Sequence, residues 1–260
     1  MKTSLSKSRY TKYCQCAKAL WLSVNKPEEA TVDAGVEARF AEGNVVGDLA
    51  MGLFGDFVEV TTMTEDGKLD LSAMIEKTQE EMERGTEVIC EASFSYRNAG
   101  ESNYCAVDIL RKTPDGWAIY EVKSTTSHVA DVATMSKELV DKVEKYAKDI
   151  AFQKWVLMQC GVMVTGTYLV TLNSDYVRQG DLDVQQLFNV IDMQELVENE
   201  YSKVPAQQRM AHTTLQGNEP QKGIGTHCSA PYQCAFWNYV PVRWGWTLRT
   251  TKPRCSTSTA

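Results

Sequence analysis

Apolar positions recur along this chain with two different periods, and the alternation of those periods predicts a mixed α/β protein. Leu139, Val143, Tyr146, Ile150, Gln153, Leu157 and Cys160 follow one another in steps of four and three. That spacing predicts one helix over Met135–Gly161 with Gly161 as its stop. Val36, Phe40, Val45 or Val46, Leu49 and Leu53 predict a second helix between Asp33 and Phe57. Shorter stripes predict helices around Tyr13–Trp21, over Leu71–Gly85, and one or two over Val184–Val204 with Asp192 as a cap. Period-two stretches predict strands over Glu87–Tyr96, Cys105–Thr126 and Gly166–Asn173, with a strand and an Asp66-Gly67 turn in 58–71. Residues 127–134 and 205–222 read as loops.

The stretch CAVDILRKTPDGWAIYEVKSTT, from Cys105 to Thr126, breaks the rule that buried strands are apolar. It reads as two strands joined by a turn at Pro114-Asp115-Gly116. On the second strand Trp117, Ile119, Glu121 and Lys123 share one face, so opposite charges end an otherwise apolar row. On the first, Asp108 interrupts Val107, Ile109 and Leu110. Two carboxylates on neighbouring strands can hold a hard divalent cation, which takes oxygen ligands, lowers the pKa of bound water and offsets charge on a phosphodiester. A lysine two residues on can orient that water. A solvated hairpin with a surface ion pair explains the same residues, and the spacing alone leaves both readings open. Glu91, inside the preceding strand, either adds a third carboxylate or points to solvent.

Two further polar features interrupt apolar surroundings. Gln153 lies on the buried stripe of the long helix, one turn after Asp149. It must find partners there, either in a metal site or on the backbone. Cys228 and Cys234 stand among Pro231, Tyr232 and Trp237 in a segment too short for its own apolar element. Metal or cluster ligation and two buried thiols are both compatible with them. Cys14 and Cys16 sit in the first helix, where residues two apart face different ways, so at most one can join such a site.

At 260 residues with 43% hydrophobic and 23% charged residues, the chain has the composition of a globular protein. No signal-peptide pattern and no membrane-length apolar run are present, and eight cysteines in that setting point to a reducing, cytoplasmic location. The net charge of −7 would argue against nucleic acid were it even. Instead residues 1–26 carry six Lys or Arg and no acid, and residues 201–260 carry seven against Glu219 alone. Ends that meet in space would form a positive surface. The tail over 240–260 is basic and low in complexity, and no structure is assigned to it. Residues 1–239 read as one domain.

These motifs resemble those of the RecB-type nucleases of the PD-(D/E)XK superfamily, and within them the CRISPR-associated Cas-four-type exonucleases and their relatives. The likeness covers most of the chain to about Tyr239. VDIL and YEVKSTT resemble the family's second and third motifs, which implies metal-ligand roles for Asp108 and Glu121 and a catalytic role for Lys123. Gln153 resembles the glutamine of the family's Q-x-x-x-Y motif, though Leu157 replaces the tyrosine. Cys16, Cys228 and Cys234 resemble cysteines that hold a 4Fe–4S cluster, with Ala17 where the family has proline and no fourth cysteine evident. Gly47 stands where the family has a histidine ligand, so that ligand is absent or supplied by another residue such as Glu91 or Asp48.

The resemblance implies a restriction-endonuclease-like mixed central sheet flanked by helices, with a cysteine-bearing lobe formed by both termini. It implies cleavage of DNA, single-stranded at its ends, with magnesium or manganese, in repair or CRISPR adaptation and in a larger complex. Two other readings stand beside it, a catalytically inactive DNA-binding module and an iron–sulfur scaffold subunit.

Overall fold

A computed structural model describes residues 4–31 and 34–239, with 34–41 as backbone alone; the tail reading lies outside the described residues. Its centre is a meander of three antiparallel strands, β3 (Val88–Asn98), β4 (Glu101–Thr113) and β5 (Gly116–Ser127). The turn between β4 and β5 closes at the Thr113–Gly116 pair, as the Pro-Asp-Gly sequence predicts. From β5 the chain crosses over through helices to β6 (Val164–Asn173), which lies parallel beside β5. Beyond it β7 (Phe188–Asp192) is antiparallel to β6, and β2 (Val58–Glu59) lies parallel along β3 at the other edge. This is the mixed central sheet flanked by helices that the sequence implies.

The two faces of the sheet have separate cores. Leu110 and Ile119 face α7 (Ala147–Gln159), together with Ile150, Phe152 and Leu157. Ile109, Tyr120 and Val122 face the other way, towards α3 (Ala34–Ala50) and the 3₁₀ turn after it. Full burial of each such side chain contributes about 1.5–3 kcal/mol relative to exposure. Tyr120 also stacks on Tyr168 of β6, with ring centres 4.7 Å apart.

The sheet forks along one edge of β4. The β4–β5 ladder ends at the Ile109–Tyr120 pair. Further along the same strand β1 (Ser4–Ser6) pairs in parallel with Ser102–Tyr104. β1 runs straight into α1 (Lys7–Gln15), whose N-cap is Ser6. α1 is held down by Tyr10, which stacks on Phe152 at 4.5 Å and donates to Gln207 Oε1 at 2.6 Å. The chain then breaks at Cys16, which is extended (φ −162°), before α2 (Ala17–Asn25). Ala17 is therefore the first residue of a helix, the position that suits proline, which accounts for the proline of the motif it resembles.

Several predicted elements differ. The helix expected over Met135–Gly161 is α6 (Lys137–Val143), a 3₁₀ turn over Glu144–Tyr146, and α7. The apolar stripe stays buried throughout except at Cys160, which is exposed. A stripe in steps of three and four is satisfied by either kind of turn, so it does not reveal the change. Residues 127–134 hold a short helix, α5 (Val129–Thr134), in place of a loop. The Val184–Val204 stretch is α8 (Val184–Leu187), β7 and α9 (Gln194–Tyr201); the N-cap of α9 is Met193 in place of the expected Asp192, whose Oδ1 accepts from Gln194 N. Residues 205–222, expected as loop, contain most of α10 (Val204–Gln216). Its buried face is Val204, Gln208, Ala211, His212 and Leu215, a helical stripe disguised by its polar members.

α4 (Leu71–Arg84) matches expectation, capped by Asp70 and stopped by Gly85 in the left-handed conformation. The two ends of the chain meet: Thr31 N donates to Ala235 O, and Gln15 Nε2 donates to His227 O and Tyr232 O. Among the described residues no helix is long and apolar enough to cross a membrane.

Candidate active site

The fork in the sheet puts carboxylates on three adjacent strands in one row. Cys90 pairs with Ile109 and Ala92 with Val107, so Glu91 stands opposite Asp108; Ile109 pairs with Tyr120, so Asp108 stands next to Glu121. Like charges directly opposite one another destabilise a sheet, and regular pairing is interrupted at both positions. Glu91 has φ 57°, a left-handed conformation that a non-glycine residue rarely takes. Strain of that kind gathers at functional sites. At Asp108 the side chain takes over the ladder: its Oδ2 accepts the Val122 N–H at 2.7 Å.

Glu121 is fully buried and is the hub of the site. Lys7 Nζ donates to its Oε1 at 3.0 Å and its Oε2 at 2.9 Å. Lys123 Nζ reaches Oε1 at 2.5 Å, and Gln153 Nε2 donates to Oε2 at 2.7 Å. Lys7 also lies 3.6 Å from Asp108 Oδ1, and Lys123 lies 3.4 Å from Asp149 Oδ2. Three carboxylates thus hold two ammonium groups.

Protonation follows from that geometry. Burial opposes ionisation of Glu121, but Lys123 and Lys7 outweigh it and hold its carboxyl well below the usual range. Burial, and then the Glu121 charge, raises Asp108; burial also raises Asp149. Glu91 is pushed up to about 7, first by burial and then by Asp108. Burial works against the charge on Lys123, yet Glu121 and Asp149 raise it well above the ordinary lysine value. In this geometry Lys123 is held as an ammonium.

Asp108, Glu121, Lys123 and Gln153 come together as the spacing suggests. Gln153 bonds to both a side chain and the backbone, donating to Glu121 Oε2 and to Asp149 O at 3.3 Å. Glu91 is half-buried on the strand beside Asp108. Asp48, the other candidate to replace the histidine, is exposed. Gly47 has room for a side chain, since a Cβ there meets nothing within 4 Å. Leu157, in the tyrosine's place, is buried in the core. Lys7 and Asp149 were not singled out as site residues. Asp149 has a signal, one helical turn from Gln153, whereas Lys7 has none, because the β1–β4 pairing that delivers it joins distant parts of the chain.

The residues suit a divalent cation in part. Among the described residues no three His, Cys, Asp or Glu side chains converge on a point at ligand distance, so Asp108, Glu121 and Glu91 do not form a ready trio. Asp108 and Glu121 nonetheless share a cation between them, the ammonium of Lys7. Beside them the Gln153 Oε1 is buried without a partner. Two carboxylates with solvent ligands suffice for magnesium, so the donor set fits.

The cysteines fit a cluster less well. Cys16, Cys228 and Cys234 line one cavity with Phe236 and Trp237, formed by both ends of the chain as expected. That cavity holds about 10 Å³, barely enough for one water molecule, and the thiols do not converge on a common point. Trp237 also lines this cavity and is half-buried. Cys255 lies outside the described residues.

Asp149 opens onto a groove of about 1070 Å³ between α1, the start of α7, α9 and the segment 226–236. Lys12, Lys145, Lys148 and Tyr232 line it. Lys145 lies over the rings of both Tyr146 and Tyr232, at 4.9 and 5.7 Å.

Comparison with known proteins gives structural likeness only. No family model matches the chain, and no curated protein matches it. A "Putative exonuclease" from Eubacterium rectale is similar over 85% of this chain and 84% of its own, at 16% identity and a TM-score of 0.49. An alkaline exonuclease from Laribacter hongkongensis is similar over 82% of this chain and 92% of its own, at 12% identity and a TM-score of 0.39.

Proposed function

We propose that this chain is a metal-dependent phosphodiesterase that cleaves DNA. The observation that carries the reading is the meeting of Asp108, Glu121 and Lys123 where the β4–β5 ladder opens. A surface ion pair needs no such fork and no fully buried glutamate. Asp108 and Glu121 would hold magnesium or manganese, with Glu91 as the nearest further carboxylate. The cation, when bound, would supply a water of lowered pKa and offset charge on the phosphate. Lys123, an ammonium, donates a hydrogen bond to the attacking water or to a phosphate oxygen. Gln153 fixes the rotamer of Glu121, and its free carbonyl oxygen can accept from the same water.

The groove supports a single strand as substrate. Lys12, Lys145 and Lys148 can contact phosphates, and the exposed Tyr232 ring can stack on a base. Glu144 and Glu200 also line it, so its field is mixed and the salt dependence of binding should be modest, set by the few phosphates those lysines neutralise. The test is cleavage of end-labelled single-stranded DNA in manganese by the parent and by Lys123→Ala. Cleavage by the parent alone supports the reading, and a parent that binds DNA without cutting it overturns it.

A further inference from the structure

The position of Lys7 has a consequence beyond its ion pairs. Its ammonium bridges both oxygens of Glu121 and approaches Asp108, the two carboxylates assigned above to the divalent cation. Lys7 is the first residue of α1, and no acidic residue lies in that helix's first turn. A cation there is disfavoured by the helix dipole, so the carboxylates hold it in place against the helix. The bridging nitrogen is delivered by a well-fixed backbone. β1 is paired to β4, and Tyr10, one turn along α1, is stacked and hydrogen-bonded. The side chain is 22% exposed and has four methylenes, so it can leave towards solvent without moving the helix.

We propose that Lys7 is a built-in competitor for the cation position: it bridges Asp108 and Glu121 in the metal-free protein, and a divalent cation binds only by displacing it. This rests on the metal-site reading above. It places metal affinity under the control of a residue that is not itself a ligand. It also explains why two carboxylates are stable side by side in a buried fork before any metal arrives. After displacement the ammonium remains at the rim of the site.

Two measurements on the full chain test this. The first is manganese binding by electron paramagnetic resonance, comparing the parent with Lys7→Met. Competition predicts binding at least about tenfold tighter in the variant. Equal or weaker binding by a folded Lys7→Met overturns the inference and leaves the metal-site reading intact. The second needs no variant: pulse acetylation of the parent by an amine-specific reagent, read by mass spectrometry with and without manganese. Lys7 labelling should rise severalfold on adding metal relative to Lys68, whose side chain is 79% exposed. Unchanged relative labelling overturns the inference even if the variant does not fold. Absence of any manganese binding by the parent removes both the inference and the reading beneath it.

Discussion

Asp108 accepts the backbone N–H of Val122 at 2.7 Å, at the point where the β4–β5 ladder would otherwise continue. A side chain thus replaces a main-chain partner, which lets the strands part while leaving no buried donor unsatisfied. One Asp108 oxygen serves the fold and the other faces Lys7. Asp108→Asn keeps an acceptor for Val122 but loses the charge. Its stability should stay within about 1 kcal/mol of the parent by denaturant unfolding, because the main-chain bond survives. Its DNA cleavage should fall at least about a hundredfold, the scale of losing electrostatic stabilisation at a reacting phosphate.

Gln153→Leu removes the donor to Glu121 Oε2 and keeps the volume. A fully buried carboxylate loses one of its partners, a cost of about 1–3 kcal/mol in unfolding free energy. Lys7 and Lys123 remain on Glu121, so the variant should fold and cleave slowly, as gel-based rates will show.

Glu91 gives the metal-free protein a pH dependence of definite sign. Its pKa of about 7 in the folded chain stands above the ordinary 4.5, so the folded state holds a proton that the unfolded chain has released. Where the folded state binds more protons, stability falls as pH rises, here between about 4.5 and 7. Glu91→Gln should therefore melt higher than the parent at about pH 8 in EDTA and match it near pH 5. Thermal melts at the two pH values check this; the reverse ordering contradicts it.

Gly116 has φ 156°, and a Cβ there would lie 2.5 Å from the Met163 carbonyl oxygen. Gly116→Ala must shift either the β4–β5 turn or the start of β6. A cost of roughly 1–3 kcal/mol is expected from such strain, measured by chemical denaturation.

The hairpin and the one-face placement of Glu121 and Lys123 were legible because period-two alternation fixes side-chain direction on a strand. Asp108, on the partner strand, was legible as the charge in an apolar run. The reach of Gln153 was legible as a polar residue on an apolar stripe. β7 and α10 were not, since the five residues of Phe188–Asp192 do not alternate and the buried face of α10 includes Gln208 and His212. Lys7 could not be read at all. Its place depends on a three-residue parallel pairing with β4, a contact between segments far apart in the chain. The basic N-terminus was expected to contact phosphate, but much of its charge is engaged internally: Lys7 with Glu121, and Lys18 and Lys26 with Glu219.

The most direct test of the central claim is single-turnover cleavage of end-labelled single-stranded DNA, first in EDTA and then with manganese restored, by the parent and by Glu121→Gln. Cutting by the parent only when manganese is present, together with none by a folded Glu121→Gln, is the result predicted. Cutting in EDTA, or equal cutting by Glu121→Gln, would contradict a metal-dependent site at the fork of the sheet.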